Sequence, residues 1–436
     1  MILSQYVKQA WHQARTNVTY TVLYVAGVML AMMFTMTMAM VLYVRIAPVY
    51  PENNRDNTSY IANIWLRNGE IAMGGQVSQF PYDEWFSKFE NIEHIALVND
   101  SYRSFAKSPD GTPDFEVHVK FVRGDFFKIY DFELVAGRMF TAEEANAEAP
   151  RAAIITDRLA ERMFGGAEQA IGQTVTVDRY DNRVVGVVRG ASILTRRSYA
   201  QMYRPMGKLY YGPNGPGYGD FTGPNSVVIT TRDAAQAKAL DEEMKTLLHK
   251  INNSDVMVDP DGDRWKLQIE GQPMPHWRYV LNPDGNVNVL VWLYVGIVLV
   301  LLIVPAINLS GLIGGRMDSR LSELGIRKTY GATRSSLLGQ VMFENLLLTL
   351  VGAVLGMAGA WILVTSCRRW IFSIFDSSPS QVPEWADVAV NPDMLFAPAL
   401  FGAMLAMCLI VNLLSAVVPA WLYMRKPIVS SLYEKR

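Results

Sequence analysis

The motifs that carry chemistry in enzymes are missing from this sequence. It has no G-x-x-x-x-G-K-[ST] phosphate loop, no G-x-S-x-G elbow, no H-E-x-x-H pair and no C-x-x-C pair. Each absence removes a class: nucleotide hydrolysis on this chain, serine-hydrolase chemistry, zinc proteolysis and dithiol redox work. The five histidines, His12, His94, His118, His249 and His276, are scattered with no metal-ligand spacing. The chain is therefore expected to be no enzyme, with no catalytic residue, no metal and no cofactor of its own. Cysteine is scarce too. Cys367 and Cys408 sit at depths that differ by about 20 Å at ~1.5 Å of helix rise per residue. A disulfide tolerates a Cα separation of at most about 7 Å, so both thiols are expected to be free.

Charge is also missing, but only in places. Thr16 to Val44, Gly285 to Gly315, Asn345 to Cys367 and Met394 to Met424 carry no Asp, Glu, Lys or Arg. Each exceeds the roughly 20 residues that a membrane-crossing helix needs. No span holds a pair of acids suited to a proton relay; Glu344, at the start of the third, is better placed to meet Arg327, Lys328 or Arg334. The first run, rich in methionine, is far longer than the ~7–15 apolar residues of a signal peptide and lacks a small-residue cleavage site. It is expected to stay attached, its methionines serving as adaptable packing.

What charge there is segregates. The 436 residues have a formal net charge of −1. Residues 1–15, 316–344 and 425–436 hold 11 Lys and Arg against 4 Asp and Glu, leaving 29 against 37 elsewhere. Short basic loops stay in the cytoplasm, so both ends and the 316–343 loop are expected inside. A basic inside and an acidic outside suit a membrane protein and argue against nucleic acid as a partner.

The expected order is an amphipathic segment 1–15 on the inner surface, a span at 16–45, an outer domain at 46–286, and a span at 287–315. A cytoplasmic loop or helix at 316–343, a span at 344–367, an outer loop at 368–393, a span at 394–424 and a tail at 425–436 follow. Pro305 should kink the second span. Gly352 and Gly356 form a small-xxx-small pattern that allows close helix contact, either within one chain or at a dimer seam. In the outer domain, Tyr60–Leu66, Phe115–Phe121, Ala152–Ile155, Ser226–Thr230 and Trp265–Ile269 read as strands. Pro81–Phe89 reads as a helix, and Thr156 or Asp157 caps one that stops at Gly165–Gly166. Thr174–Asp178 and Arg183–Val188 flank Asp181–Asn182 as a hairpin, and a helix runs from about Asp233 to Ile251. Strands and helices mix without βαβ alternation, which makes the domain α+β. Residues 204–225, rich in Gly, Pro and Tyr, read as a long loop.

The stretch SELGIRKTYGATRSSLLGQVMFENLLLTLVGAVLG resembles the signature of the MacB/FtsX family of ABC transporter permeases. The matching positions are Glu323, Leu324, Gly325, Ile326, Arg327, Lys328, Gly331, Ala332 and Arg334; Thr329 and Tyr330 depart mildly from it. DFFKIYDFELVAGRMFTAEE, RAAIITDRLAERMFGG, AIGQTVTV and RVVGVVRG resemble the MacB-like periplasmic core domain, and VVPAWLYMRKPIVSSLYEKR resembles the family's closing tail.

That resemblance implies four transmembrane helices in a bacterial inner membrane and a large periplasmic α+β domain between helices 1 and 2. It implies a porter-like part with an inserted β-rich lobe at about 115–200. It implies that the nine residues of the loop motif couple to a separate ABC ATPase, which binds the ATP and Mg. A second permease chain would complete a homodimer, with periplasmic or outer-membrane partners beyond it. The implied function is transmission of ATP-driven movement to a periplasmic domain that handles a substrate. Two alternatives stand: an FtsX-like regulator of a cell-wall enzyme, and a membrane receptor without an ATPase.

Overall fold

In hydrocarbon a chain must satisfy its own backbone polar groups, so long uncharged runs become helices. The computed structural model describes residues 8, 11–12, 14–107, 114–207, 218–258, 262–269, 273–281, 287–319, 326–327, 329–375, 395 and 397–425. Four long helices lie on the uncharged runs: α1 (Val18–Ile46), α2 (Val287–Ser319), α3 (Arg334–Ser366) and α4 (Pro398–Arg425). Among the described residues α1, α3 and α4 are long and apolar enough to cross a membrane, and α2 offers a shorter apolar stretch, Val291–Leu301.

The chain forms two compact units. One gathers Met1–Tyr43, Asn288–Ile371 and Leu395–Arg436; the other gathers Val44–Val287 and Phe372–Met394. In the helical unit, α1 buries Tyr24, Val28, Met32, Met36 and Met40 along one face, four residues apart at every step. Its expected methionine packing is what the structure has. A short helix, Arg368–Phe375, leaves Trp370 and Ile374 exposed. Of the segment 1–15 only Lys8, Trp11, His12, Ala14 and Arg15 are described, all helical. Both cysteines are free, Cys367 exposed and Cys408 buried.

The other unit is an α+β domain around one sheet of 15 strands, numbered in chain order. They are β1 (Thr58–Ile61), β2 (Asn63–Asn68), β3 (Ile71–Val77), β4 (His94–Asn99), β5 (Tyr102–Ala106), β6 (Phe115–Gly124) and β7 (Leu134–Gly137). The rest are β8 (Ala152–Thr156), β9 (Thr174–Val177), β10 (Tyr180–Val188), β11 (Met202–Pro205), β12 (Thr222–Gly223), β13 (Asn225–Thr230), β14 (Lys266–Ile269) and β15 (Met274–Pro275).

Six of these strands close into a ring, in the order β11, β8, β10, β9, β5 and β6, with β6 pairing back to β11. Closure leaves no open edge there. One hydrophobic cluster draws on all six strands, through Ala106, Val117, Ile155, Val177, Val187 and Met202. The helix Asp157–Phe164 adds Leu159, Ala160 and Met163 to it. A second cluster lies where the helix Ala234–Asn252 sets Leu240, Met244 and Ile251 against β2, β4, β13 and β14.

Local capping accounts for several boundaries. Thr156 caps its helix by accepting from the backbone N–H of Leu159, and Gly165 ends it in the left-handed conformation, φ 76°. Asp233 caps Ala234–Asn252 in the same way.

Three expectations need correction. The strand expected at Tyr60–Leu66 is two, β1 and β2, broken at Ala62, because β1 pairs with β13 and β2 with β3. The helix expected at Pro81–Phe89 begins at Gln79, since the Ser78 hydroxyl accepts from the N–H of Phe80. It ends at Glu84, before a single 3-10 turn, Phe86–Lys88. The hairpin turns at Asp178–Arg179, not Asp181–Asn182; both turn residues have positive φ, 53° and 68°. The Tyr102 hydroxyl donates to the Asp178 carboxylate across 2.9 Å, and Ser104 donates to it as well. Asn182 lies buried in β10, donating to the carbonyls of Val175 and Tyr180.

Candidate functional site

A helix that begins at a polar loop needs its first N–H groups capped and its polar side chains paired before it enters hydrocarbon. At the start of α3, the Thr333 hydroxyl caps the N–H of Ser336. Gly331, at φ 90°, turns the chain into that cap, a conformation that glycine adopts without strain. The preceding turn is held by Tyr330 N–H to Ile326 O and Ala332 N–H to Arg327 O. Arg327 then reaches forward. Its guanidinium donates to the side-chain oxygen of Gln340 across 2.8 Å, and the Gln340 nitrogen donates to the buried carboxylate of Glu344 across 3.1 Å. The loop cation is thus tied to an acid 17 residues on through one amide.

Of the nine loop residues singled out by sequence, Glu323, Leu324, Gly325 and Lys328 lie outside the described residues. Ile326, Gly331 and Arg334 are exposed, with Ala332 and Arg327 half-buried. Sequence reasoning missed Gln340. Its spacing of four from Glu344 was the available signal.

Beyond this junction α3 turns one stripe inward: Leu337, Gln340, Val341, Glu344, Asn345, Thr349, Gly352, Ala353, Gly356, Ala360 and Val364. α1 lies against it. The Tyr24 hydroxyl meets the Thr349 hydroxyl at 2.9 Å. A Cβ on Gly352 would come within 2.8 Å of the Val28 Cβ, and one on Gly356 within 2.6 Å of the Met29 carbonyl oxygen. The two glycines therefore let α1 approach within one chain. α4 shares the unit, with Phe401 near Trp361 at a ring separation of 6.5 Å.

The domain holds a second polar constellation that no local motif announced. Lys120 is fully buried, its ammonium donating to the Asn99 carbonyl across 2.9 Å. Burial, with Arg197 nearby, lowers its pKa to about 7 although Asp100 opposes the shift. Arg197 donates to Asp100 and to Ser226, and its guanidinium lies 4.3 Å over the Tyr279 ring. Glu52 and Arg55 form a buried ion pair at 2.8 Å. Burial opposes the Glu52 charge, but Arg55 and His276 hold its pKa below the usual carboxylate value. Burial, then Arg55, pushes His276 down to about 4. Among the described residues no group of three or more His, Cys, Asp or Glu is placed to hold a metal ion.

Comparison with known proteins finds two families along the chain. Residues 21–247 match the MacB-like periplasmic core domain, and residues 295–428 match the FtsX-like permease C-terminal family. The macrolide export ATP-binding/permease protein MacB of Bdellovibrio bacteriovorus is 27% identical over 249 residues, covering 54% of this chain and 35% of that one. The pyoverdine export protein PvdT of Pseudomonas savastanoi pv. phaseolicola is 25% identical over 248 residues, 55% of this chain and 34% of it. The ABC transporter permease YknZ of Bacillus subtilis is 22% identical over 285 residues, 64% of this chain and 66% of YknZ. The chain thus spans about a third of the length of the MacB and PvdT proteins that it matches. The solved periplasmic region of MacB from Actinobacillus actinomycetemcomitans aligns with a TM-score of 0.30 at 17% identity, over 48% of this chain and 88% of that one.

Proposed function

The chain belongs to the MacB/FtsX-type ABC transporter permeases, and from that premise we propose that it transmits the movement of a separate ATPase subunit to its large α+β domain. In this reading α1, α2, α3 and α4 all span a bacterial inner membrane. Both termini and the 316–343 loop face the cytoplasm, and the domain of residues 46–286 is periplasmic. Within that domain residues of about 115–200 form the inserted β-rich lobe. An ABC ATPase docks on the loop motif, from Glu323 to Arg334, and supplies ATP binding and hydrolysis. A second permease chain completes a homodimer. Substrate is handled at the periplasmic domain for export or extraction.

The observation that carries the proposal is the Arg327–Gln340–Glu344 relay. It ties a residue of the loop to the buried stripe of the helix that follows. A push on the loop then moves α3 as a body rather than flexing a slack linker, and α1, seated on Gly352 and Gly356, moves with it. Few charges in the spans suit a helix bundle that moves rather than a channel that conducts.

The test is ATP hydrolysis by the ATPase co-expressed with this chain, in lipid, with the chain intact and with Glu323→Lys plus Arg327→Glu. The expected result is that the intact chain binds the ATPase and changes its rate, and that the altered loop loses the effect while the chain stays folded. If no ATPase co-purifies and the altered loop changes nothing, the assignment fails and a receptor without an ATPase takes its place.

A further inference from the structure

A closed ring of strands has an inside, and every second residue of each strand points into it. The inside of the six-stranded ring is apolar at its middle, where Ala106, Val119, Val177, Val184 and Met202 pack together. Further along the strands the same faces turn polar. Tyr102 lies four residues before Ala106, Phe121 two after Val119, Arg204 two after Met202, and Tyr180 four before Val184. Strand pairing gathers them at one end: Arg204 lies beside Phe121 where β11 runs parallel to β6, and Tyr102 opposes Val119. They form one mouth of the ring.

Arg204 is the least satisfied of them. It is 7% exposed, and its Nε has no hydrogen-bond partner among the described residues. Its guanidinium is 5.1 Å from the ring centre of Phe121 and 5.7 Å from that of Tyr180. The Arg151 guanidinium is 5.5 Å from the same Tyr180 ring, so two cations share one aromatic. Rings offset part of the cost of burying a cation, but a guanidinium fork is matched by oxygens in its plane. The carboxylate of Asp178 is near and already engaged, accepting from Tyr102 across 2.9 Å and from Ser104. Burial works against the Arg204 charge more than Tyr102 and Asp178 support it, and Arg151 adds repulsion, so its pKa lies below the ordinary arginine value. Among the described residues neither Arg151 nor Arg204 is held in an ion pair. Two guanidiniums against one carboxylate leave one positive charge over. Arg151 is exposed and Tyr180 is 53% exposed, so the mouth opens to solvent on their side.

We propose that this mouth, between Arg151, Arg204 and Tyr180, is a binding site for a carboxylate group. A carboxylate is planar, accepts from a guanidinium fork through two parallel hydrogen bonds, and brings the one negative charge that the cluster lacks. A phosphate dianion brings one charge too many. The half-exposed Tyr180 ring offers the body of such a ligand an apolar surface at the rim. The site stands apart from the coupling proposed above, and neither reading rests on the other.

The experiment is equilibrium dialysis of the full chain in lipid nanodiscs against radiolabelled propionate at about pH 7.5, with empty nanodiscs as the blank and choline chloride holding the ionic strength fixed. The expected result is saturable binding of one propionate per chain. Arg151→Gln, a change at an exposed residue, is expected to weaken it about tenfold or more, the loss of one charge-assisted contact. Arg204→Met removes the buried cation and is expected to abolish saturation; should that variant fail to fold, Arg151→Gln decides alone. Arg103→Gln, which removes an exposed arginine from the outward face of β5, is expected to bind as the unaltered chain does. An unaltered chain without saturable binding overturns the proposal, as does unchanged binding in Arg151→Gln. Equal weakening by Arg103→Gln overturns it too, since bulk charge would then account for the effect. Displacement of propionate by inorganic phosphate at a lower concentration than by acetate overturns the carboxylate assignment in favour of a phosphate. No nucleotide or partner is needed, so the outcome is separate from that of the ATPase test.

Discussion

The two ends of the Gln340 amide join Arg327 to Glu344: the guanidinium donates to its oxygen at 2.8 Å, and its nitrogen donates to the carboxylate at 3.1 Å. The amide passes polarity in one direction, which a leucine of similar size does not. Gln340→Leu is expected to leave the buried Glu344 without that donor, at about 1–3 kcal/mol. Thermal unfolding of the chain in nanodiscs measures it. Adding Glu344→Gln should recover part of the loss, because a buried neutral amide depends less on that donor than a buried carboxylate does. A double variant no more stable than Gln340→Leu would show that the relay does not hold the junction.

Gly356 faces the Met29 carbonyl oxygen, and a methyl there would sit 2.6 Å from it. Backbone cannot swing aside as a side chain does, so Gly356→Ala should push α1 off α3. The expected destabilisation is about 1–3 kcal/mol, the usual range for overpacking. Gly402, around which an added Cβ meets nothing within 4 Å, is the control. Cys408, buried in the unaltered unit, provides a readout: its maleimide labelling should quicken in Gly356→Ala and stay slow in Gly402→Ala.

The hairpin between β9 and β10 places Arg179 at φ 68°, where an L side chain is strained by roughly 1–2 kcal/mol. Arg179→Gly is expected to raise the unfolding temperature of the domain. Asp178→Ala should lower it, since Tyr102 and Ser104 both donate to that carboxylate. Equal midpoints for the three proteins would mean that the turn is not part of the cooperative unit.

This turn also shows what the sequence hides. Asp181–Asn182 carries the composition of a turn, and only a partner 76 residues away, Tyr102, selects Asp178 instead. Where the deciding atoms are neighbours in the chain, as with Thr156, Leu159 and Gly165, the boundary is legible. The uncharged runs are legible for the same reason, because a span is a property of one segment. The hydrogen bonds of Glu52 with Ser198 and of Tyr60 with His276 are not, since they join residues 146 and 216 apart. In the candidate site, the loop motif was legible by resemblance, while Gln340 reads as one more polar residue until Arg327 is seen to reach it.

Lys120 gives the domain a pH dependence of defined sign. Burial lowers its folded pKa to about 7, whereas the unfolded chain titrates near 10.5. Between those values the unfolded state binds a proton that the folded state lacks, so stability rises with pH across the window. This contribution is at most about 1.4 kcal/mol per pH unit. Below pH 7 the opposing effect is complete and flat. His276, lowered to about 4 from 6.5, acts in the same direction but only in that acid window. Measurements from pH 7.5 to 9.5 therefore isolate the lysine and stay below the raised titrations of Tyr60, Tyr130 and Tyr203. Lys120→Met removes the titrating group but also the donor to the Asn99 carbonyl. The expected result is a higher unfolding temperature than the unaltered chain at pH 7.5 and a smaller rise toward pH 9.5. The same slope in both proteins would place the ammonium in contact with water and sink the argument.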